Sequence, residues 1–230
     1  MKKLIANTIN NTLVLTLVLF TSMSVFAHDP PMGAGSASFE SSHIDSLAQS
    51  IYNELQSEDL NYQVFLEAYE GYLNFQNSGL IEKTNVITII DFDKSSDEKR
   101  FFVVDIEERQ VLVNSYVAHG QNTGGLDATR FSNKMNSHQS SLGFYLTDKT
   151  YHGKHGLSLR LDGLDKGIND NARKRNIVVH SADYVSEEFI AKYNRLGRSW
   201  GCPALPIEGY EDVIEQIKNK SLLFIHSSKG

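Results

Sequence analysis

The chain has 230 residues, 40% of them hydrophobic, a formal net charge of −6 and a single cysteine. That length suits one domain plus an appendage, and one cysteine excludes an internal disulfide. An acidic protein with only a modest basic stretch does not read as a nucleic-acid binder.

In chain order, residues 1–27 read as a secretory signal peptide. Lys2 and Lys3 open it, Leu13–Phe20 is a short apolar run, and Val25 and Ala27 put small residues just before His28. The run is too short to span a bilayer comfortably, and no Cys stands at the cleavage site to carry a lipid. The mature chain is therefore expected to be exported and periplasmic, with no stable membrane insertion once the signal is removed. Residues 28–42, rich in Pro, Gly and Ser, read as a flexible leader. Residues 43–84 form an N-terminal helical segment. Ile44, Leu47, Ile51 and Leu55, then Tyr62, Phe65, Leu66, Tyr69 and Leu73, recur at helical spacing. They predict helices over 43–57 and 61–77, packed as a hairpin against the main domain.

Residues 85–230 have the texture of strands. Runs rich in β-branched and aromatic residues predict strands at 86–92, 101–106, 111–117, 142–147, 157–161, 176–180 and 222–226. Ser186 opens one helix running to about Arg195, and Tyr210, Val213, Ile214 and Ile217 mark another. The polar stretches 119–141 and 163–175 are long enough to be functional or disordered loops. The fold class is mainly β with added helices (α+β), a mostly antiparallel β-sandwich or barrel preceded by the helical pair. There is no βαβ rhythm and no glycine-rich nucleotide loop. Residues 130–200 carry 12 Lys or Arg against 7 Asp or Glu, while the rest of the chain after residue 27 carries 8 against 21. A locally basic region suits an anionic ligand such as one bearing carboxylates.

The only thiol lies in GRSWGCPALP, residues 197–206. In an exported protein a lone Cys is either buried and inert or kept for its reactivity. Thiolate is the nucleophile, and a neighbouring imidazole favours it. His180 closes the apolar strand NIVVH where it meets a polar loop, 22 residues before Cys202. Gly201 permits a sharp turn. Pro203 biases Cys202 toward extended backbone and has no N–H. The candidate donors to a developing oxyanion are then the N–H groups of Gly201 and Cys202.

IVVHSADY followed by GRSWGCPALP resembles the His and Ser-x-Gly-Cys signature of the L,D-transpeptidase catalytic domain, of YkuD-like fold. FFVVDIEERQVLVNSYVAHG resembles that domain's opening strands and SSLGFYLT its Thr-Pro-x-Gly-x-Phe segment. LRLDGLDKGINDNARKRNIVVHSADY and LGRSWGCPALP resemble a divergent murein L,D-transpeptidase-like branch. The similarity covers roughly residues 85–227.

The resemblance implies an enzyme acting on peptidoglycan stem peptides, with no metal and no organic cofactor. Cys202 would be the nucleophile and His180 the general base. The Ser181 carbonyl would orient the imidazole, and Ser199 would brace the loop. Two positions depart from the family: Ala204 stands where many members have Arg, and Trp200 where a His is common. Arg198, Arg160, Arg173 and Arg195 are candidates for a carboxylate clamp, Arg198 foremost because it adjoins the motif. Trp200 either lines the substrate cleft or packs half-buried. His152 and His155 in HGKHG offer too few ligands for a metal; they line the cleft or belong to a plain loop. His119 is expected in a mobile loop, His226 in a structural role, and GINDNARKR as a substrate loop or a solvated one. Two alternatives to transfer remain open. One is an L,D-carboxypeptidase or other stem-peptide hydrolase using the same pair. The other is a noncatalytic wall-binding module in which Cys202 is a structural thiol.

Overall fold

The computed structural model describes residues 34–154 and 156–230. The expected signal peptide at 1–27, His28 and His155 lie outside them. In chain order the elements are α1 (Ala34–Leu55), α2 (Tyr62–Asn77), β1 (Val86–Asp91), β2 (Phe101–Asp105), β3 (Gln110–Ser115), β4 (Gly143–Gly153), β5 (Gly156–Gly163), β6 (Val178–Ser181), α3 (Glu187–Tyr193), β7 (Ala204–Leu205), α4 (Tyr210–Ile217) and β8 (Leu222–His226). The strands form one sheet in the order β3-β2-β1-β8-β4-β5-β6-β7. The pairings β1–β8 and β6–β7 are parallel and the other five antiparallel. Just beyond β3, Ala118 pairs antiparallel with Ala204 of β7, so the two edges of the sheet meet and it is nearly closed. This is the mainly β, α+β architecture expected of a YkuD-like fold.

The strand sequences account for a two-layered packing. β1 reads VITIID and is buried along its whole length. Side chains alternate between faces along a strand. Val86 and Ile90 accordingly join Phe101 and Val103 of β2 in one core, which α4 covers with Val213, Ile214 and Ile217. Ile87 and Ile89 join Phe102 and Val104 in a second core beneath α1 and α2, where Ile51, Leu55, Phe65 and Tyr69 pack. A strand buried on both faces needs a continuous apolar run, which is what β1 and β2 have.

Asn61 caps α2, its side chain accepting from the N–H groups of Gln63 (2.8 Å) and Val64 (3.3 Å). α1 begins at Ala34, inside the stretch expected to be a flexible leader. No proline follows Pro31 there, and the Ala, Ser and Glu residues permit helix to continue. Helix α2 packs tightly on the sheet at Gly71, where a Cβ would lie 2.2 Å from the Phe144 ring. Gly71→Ala is therefore expected to destabilise the fold by about 1–3 kcal/mol, overpacking outweighing the helix-propensity gain. A thermal melt checks this; an unchanged or raised midpoint would contradict the tight packing.

β7 was not predicted, since two residues are too few to show a period. The stretch 119–141 has no regular structure but is well tied. The N–H groups of Thr129 and Arg130 both donate to Thr123 O (3.0 Å each). Ser140 Oγ accepts from Gly120 N–H (3.1 Å) and donates to Gly201 O (3.3 Å).

Candidate active site

Three segments converge on the cysteine. His180 on β6 faces Ala204 in the parallel register, and its N–H donates to Pro203 O (3.3 Å). On the opposite edge, Ala118 N–H donates to Ala204 O (2.9 Å), Ser199 N–H to His119 O (2.9 Å) and Gln121 N–H to Ser199 O (2.8 Å). Residues 199–204 are thus held from both sides, with Cys202 at their turn.

Gly201 makes that turn possible. Its φ of 119° lies where side chains strain the backbone. A Cβ there would also stand 2.6 Å from Gln139 O and 3.2 Å from Arg175 Nη2. Gly201→Ala is expected to cost about 1–3 kcal/mol and to displace the thiol. Urea unfolding and the alkylation rate of Cys202 report the two effects, and wild-type values in both would refute the geometry.

Ser199 Oγ donates to Cys202 O (2.6 Å) and accepts from Gly201 N–H (3.0 Å). The hydroxyl ties the turn across residues 199–202. It also takes up the Gly201 N–H, which sequence reasoning had offered to the oxyanion. Gly201 therefore acts through its conformation, and the Cys202 N–H is left as the donor of that pair.

His180 is buried, and its Nδ1 lies 2.8 Å from Ser181 O. A carbonyl only accepts, so Nδ1 carries the proton and Nε2 is the basic nitrogen. Cys202 keeps part of its surface open while packing on the main core, with Sγ 3.6 Å from Asn176 O. Burial pushes the thiol above its ordinary pKa, and the Val178 N–H and the Arg175 guanidinium pull the other way.

Arg175 was missed by sequence reasoning, which saw only a basic loop. Its Nη1 donates to Ser132 O (2.7 Å) and Ser141 Oγ (2.8 Å). Its Nη2 donates to Ser137 Oγ (3.2 Å) and to Gln139 O. All four Nη hydrogens go to neutral oxygens, so the charge is not cancelled by a carboxylate at those positions. It can act through space on a thiolate beside it. Nothing in the run Arg173-Lys174-Arg175 marks the third residue as the one facing the sulfur.

The clamp candidates disperse. Arg173 donates to Asp162 Oδ1 (2.7 Å) and Asp148 Oδ2 (2.7 Å), which neutralise it and tie it to β5 and β4. The Arg160 guanidinium lies over the Tyr151 ring, 4.3 Å from its centroid. Arg198 Nη1 donates to Gly124 O (2.9 Å) and Gln121 O (3.2 Å), bracing the neighbouring loop. Arg195 Nη1 donates to Leu196 O (2.7 Å). His152 sits exposed near the tip of the β4–β5 hairpin. Trp200 is exposed beside the motif and stacks on His138.

Behind the turn lies a buried polar pair. Arg100 is fully buried and donates to Val117 O through Nε (3.2 Å) and Nη2 (3.0 Å), to Lys94 O through Nη1 (2.9 Å), and to His119 Nδ1 through Nη2 (2.8 Å). His119 is buried with it, which corrects its assignment to a mobile loop. Its own carbonyl holds Ser199 N–H, so this pair anchors the segment against which the cysteine turn rests.

Among the described residues, Asp91, Asp93 and His226 form a trio whose donor atoms lie within 4.8 Å of one another. The His226 ring nitrogens already face Glu67 Oε2 (2.7 Å) and Asp93 Oδ2 (3.4 Å), which gives His226 the structural role of joining α2 to the strand ends.

Comparison with solved structures finds an L,D-transpeptidase from Mycobacterium smegmatis, 12% identical, with a TM-score of 0.38 over 62% of this chain and 59% of that one. L,D-transpeptidase 3 from Mycobacterium tuberculosis, in complex with a faropenem-derived adduct, is 12% identical with a TM-score of 0.35, covering 62% and 60%. An L,D-transpeptidase from Stackebrandtia nassauensis is 10% identical with a TM-score of 0.37, covering 83% and 93%. The chain spans about three fifths of the length of the two mycobacterial proteins. No curated protein sequence matches significantly. The sequence profile of the L,D-transpeptidase catalytic domain matches residues 56–226, so it takes in α2 as well as the whole sheet. With that match spanning most of its length, the chain belongs to the L,D-transpeptidase catalytic domain family.

Proposed function

We propose that this protein is an exported peptidoglycan L,D-transpeptidase that works through a Cys202 acyl-enzyme with His180 as general base. The observation that carries the reading is the setting of His180. Its Nδ1–H is committed to Ser181 O, and its strand lies against Pro203, the residue after the thiol. In this reading Nε2 is the basic nitrogen that takes the thiol proton.

In the first half-reaction Sγ attacks the carbonyl of the third residue of a tetrapeptide stem while Nε2 takes the thiol proton. A C–S bond forms and the carbonyl oxygen becomes an oxyanion, within reach of the Cys202 N–H. Collapse breaks the C–N bond, and His180 returns the proton to the departing D-alanine amine. In the second half-reaction an amine of another stem attacks the thioester, His180 takes its proton, and the thiol is regenerated with a new peptide cross-link. The Arg175 charge favours negative charge on the sulfur. A thiol whose pKa is raised by burial suits a step in which proton transfer accompanies attack.

The test incubates the protein with sacculi and tetrapeptide muropeptides, then separates the products. Dimers are expected, and shortened monomers alone would replace transfer by hydrolysis. Mass spectrometry after exposure to a carbapenem should find one adduct, on residue 202, and none in Cys202→Ala. Absence of any adduct, with no turnover of murein, would leave only a noncatalytic wall-binding role.

A further inference from the structure

Trp200 is 71% exposed, the most open large apolar side chain among the described residues, two positions before Cys202. Single exposed apolar residues are ordinary on protein surfaces, so exposure alone carries nothing. Three further observations single this one out. The indole stacks flat on the His138 imidazole, with centroids 4.8 Å apart and planes 9° from parallel. One face is therefore covered and the other presented to solvent. The loop beneath is held in unfavourable backbone: Asn136 and His138, neither of them glycine, have φ of 56° and 54°. Such strain persists only where the surroundings impose it, and it concentrates at binding sites. Finally, carboxamides frame the stack. Gln121 Nε2 meets His138 Nδ1 (3.0 Å), Asn122 Nδ2 donates to Ser137 O (2.8 Å) and Gln139 Nε2 to Asn122 O (3.1 Å). Asn122 and Gln139 also line an adjoining open cleft of about 580 Å³.

We infer that Trp200, backed by His138, is a stacking platform for a pyranose ring of the murein glycan. The carboxamides of Asn122 and Gln139 meet the sugar's hydroxyl and acetamido groups. This rests on the murein reading above. The outward face of an indole carries negative charge density, which attracts the weakly positive C–H bonds on the flat side of a pyranose. A cationic amine is the other partner such a face attracts. Arg130 and Lys134 line the same cleft, however, and repel a cation while leaving a neutral sugar unaffected. The reach is also right. Three stem residues separate the sugar from the bond to be broken and span at most about 10 Å. Trp200 and Cys202 are two residues apart, a backbone span of at most about 7 Å, which is of the same scale.

Trp200 is the only tryptophan in the chain, so intrinsic indole fluorescence reports on this position alone. The experiment titrates full-length Cys202→Ala, which cannot turn over, with an N-acetylglucosamine tetramer, a disaccharide-tetrapeptide and the bare tetrapeptide. The tetramer alone is expected to shift the emission. The disaccharide-tetrapeptide should bind about tenfold more tightly than the bare peptide. Calorimetry on Cys202→Ala with Trp200→Ala should show that advantage gone, and with Trp200→Phe largely restored, as a stacking role requires. An emission shift by the bare peptide equal to that by the sugar-bearing stem, a shift by free diamino acid, or no shift by any ligand would each overturn the platform. Carbapenem acylation of the unaltered protein is read separately, so a failed platform and a failed nucleophile give different patterns.

Discussion

Replacing His180 with Ala is expected to slow carbapenem acylation of Cys202 by about 10²–10⁴-fold, the span that general-base catalysis contributes. The size follows from the state of the sulfur. Burial raises the thiol pKa above its ordinary value, and the Val178 N–H and Arg175 oppose that. Without a base to remove the proton during attack, the reaction must wait for free thiolate, which is scarce at neutral pH. The pH profile should change with the rate. The variant should keep climbing through the alkaline range without levelling below the raised thiol pKa. Thermal melting separates this from misfolding. A variant that melts normally and acylates at the original rate, or whose pH profile is unchanged, would remove His180 from the mechanism. Arg175→Gln should act in the same sense by removing the charge, along with its hydrogen bonds to Ser132, Ser137, Gln139 and Ser141, moving the variant's alkaline limb to still higher pH.

A second large effect concerns acid. His119 is held neutral, its pKa pushed down to about 3, chiefly by burial and then by the Arg100 charge. The Arg198 charge adds to this, while the nearby backbone of Gly124 and Gly125 opposes it. In an unfolded chain histidine titrates near ~6.5. Between those two values the unfolded state binds a proton that the folded state refuses, so stability falls as pH falls. It is present in full above ~6.5, and its loss by the lower limit is on the order of 5 kcal/mol. His119→Gln keeps an acceptor for Arg100 but cannot titrate, so it should flatten the dependence. Urea midpoints compared between about pH 6.5 and 5 isolate the effect, because most carboxylates titrate lower. Parallel curves for the two proteins in that window would show that His119 is not the cause. Since the His119 carbonyl holds Ser199 N–H, the cysteine turn should loosen along with this segment, and acid should also depress acylation.

Much of the fold was legible along the chain, because alternation and helical spacing are local properties. β1 and β2 announced themselves as apolar runs, and the structure uses both of their faces. Ser186 marked the start of α3, accepting from Phe189 N–H (3.2 Å), because capping is settled within one turn of helix. The motifs around His180 and Cys202 pointed to one family before any coordinates, since their residue types and order survive without geometry. What the sequence could not contain is which polar group ends up beside which. Arg175 shares its loop with Arg173 and Lys174, yet it alone is linked to the sulfur, while Arg173 is spent on Asp148 and Asp162. His119 became a buried neutral partner of Arg100, and the Gly201 N–H went to Ser199 instead of standing open. Hydrogen bonds such as that from Ser140 Oγ to Gly201 O join residues 61 apart in sequence. Only the closing of the sheet at Ala118 and Ala204 brings such residues together, and burial, charge and donor availability at the site follow from that closure.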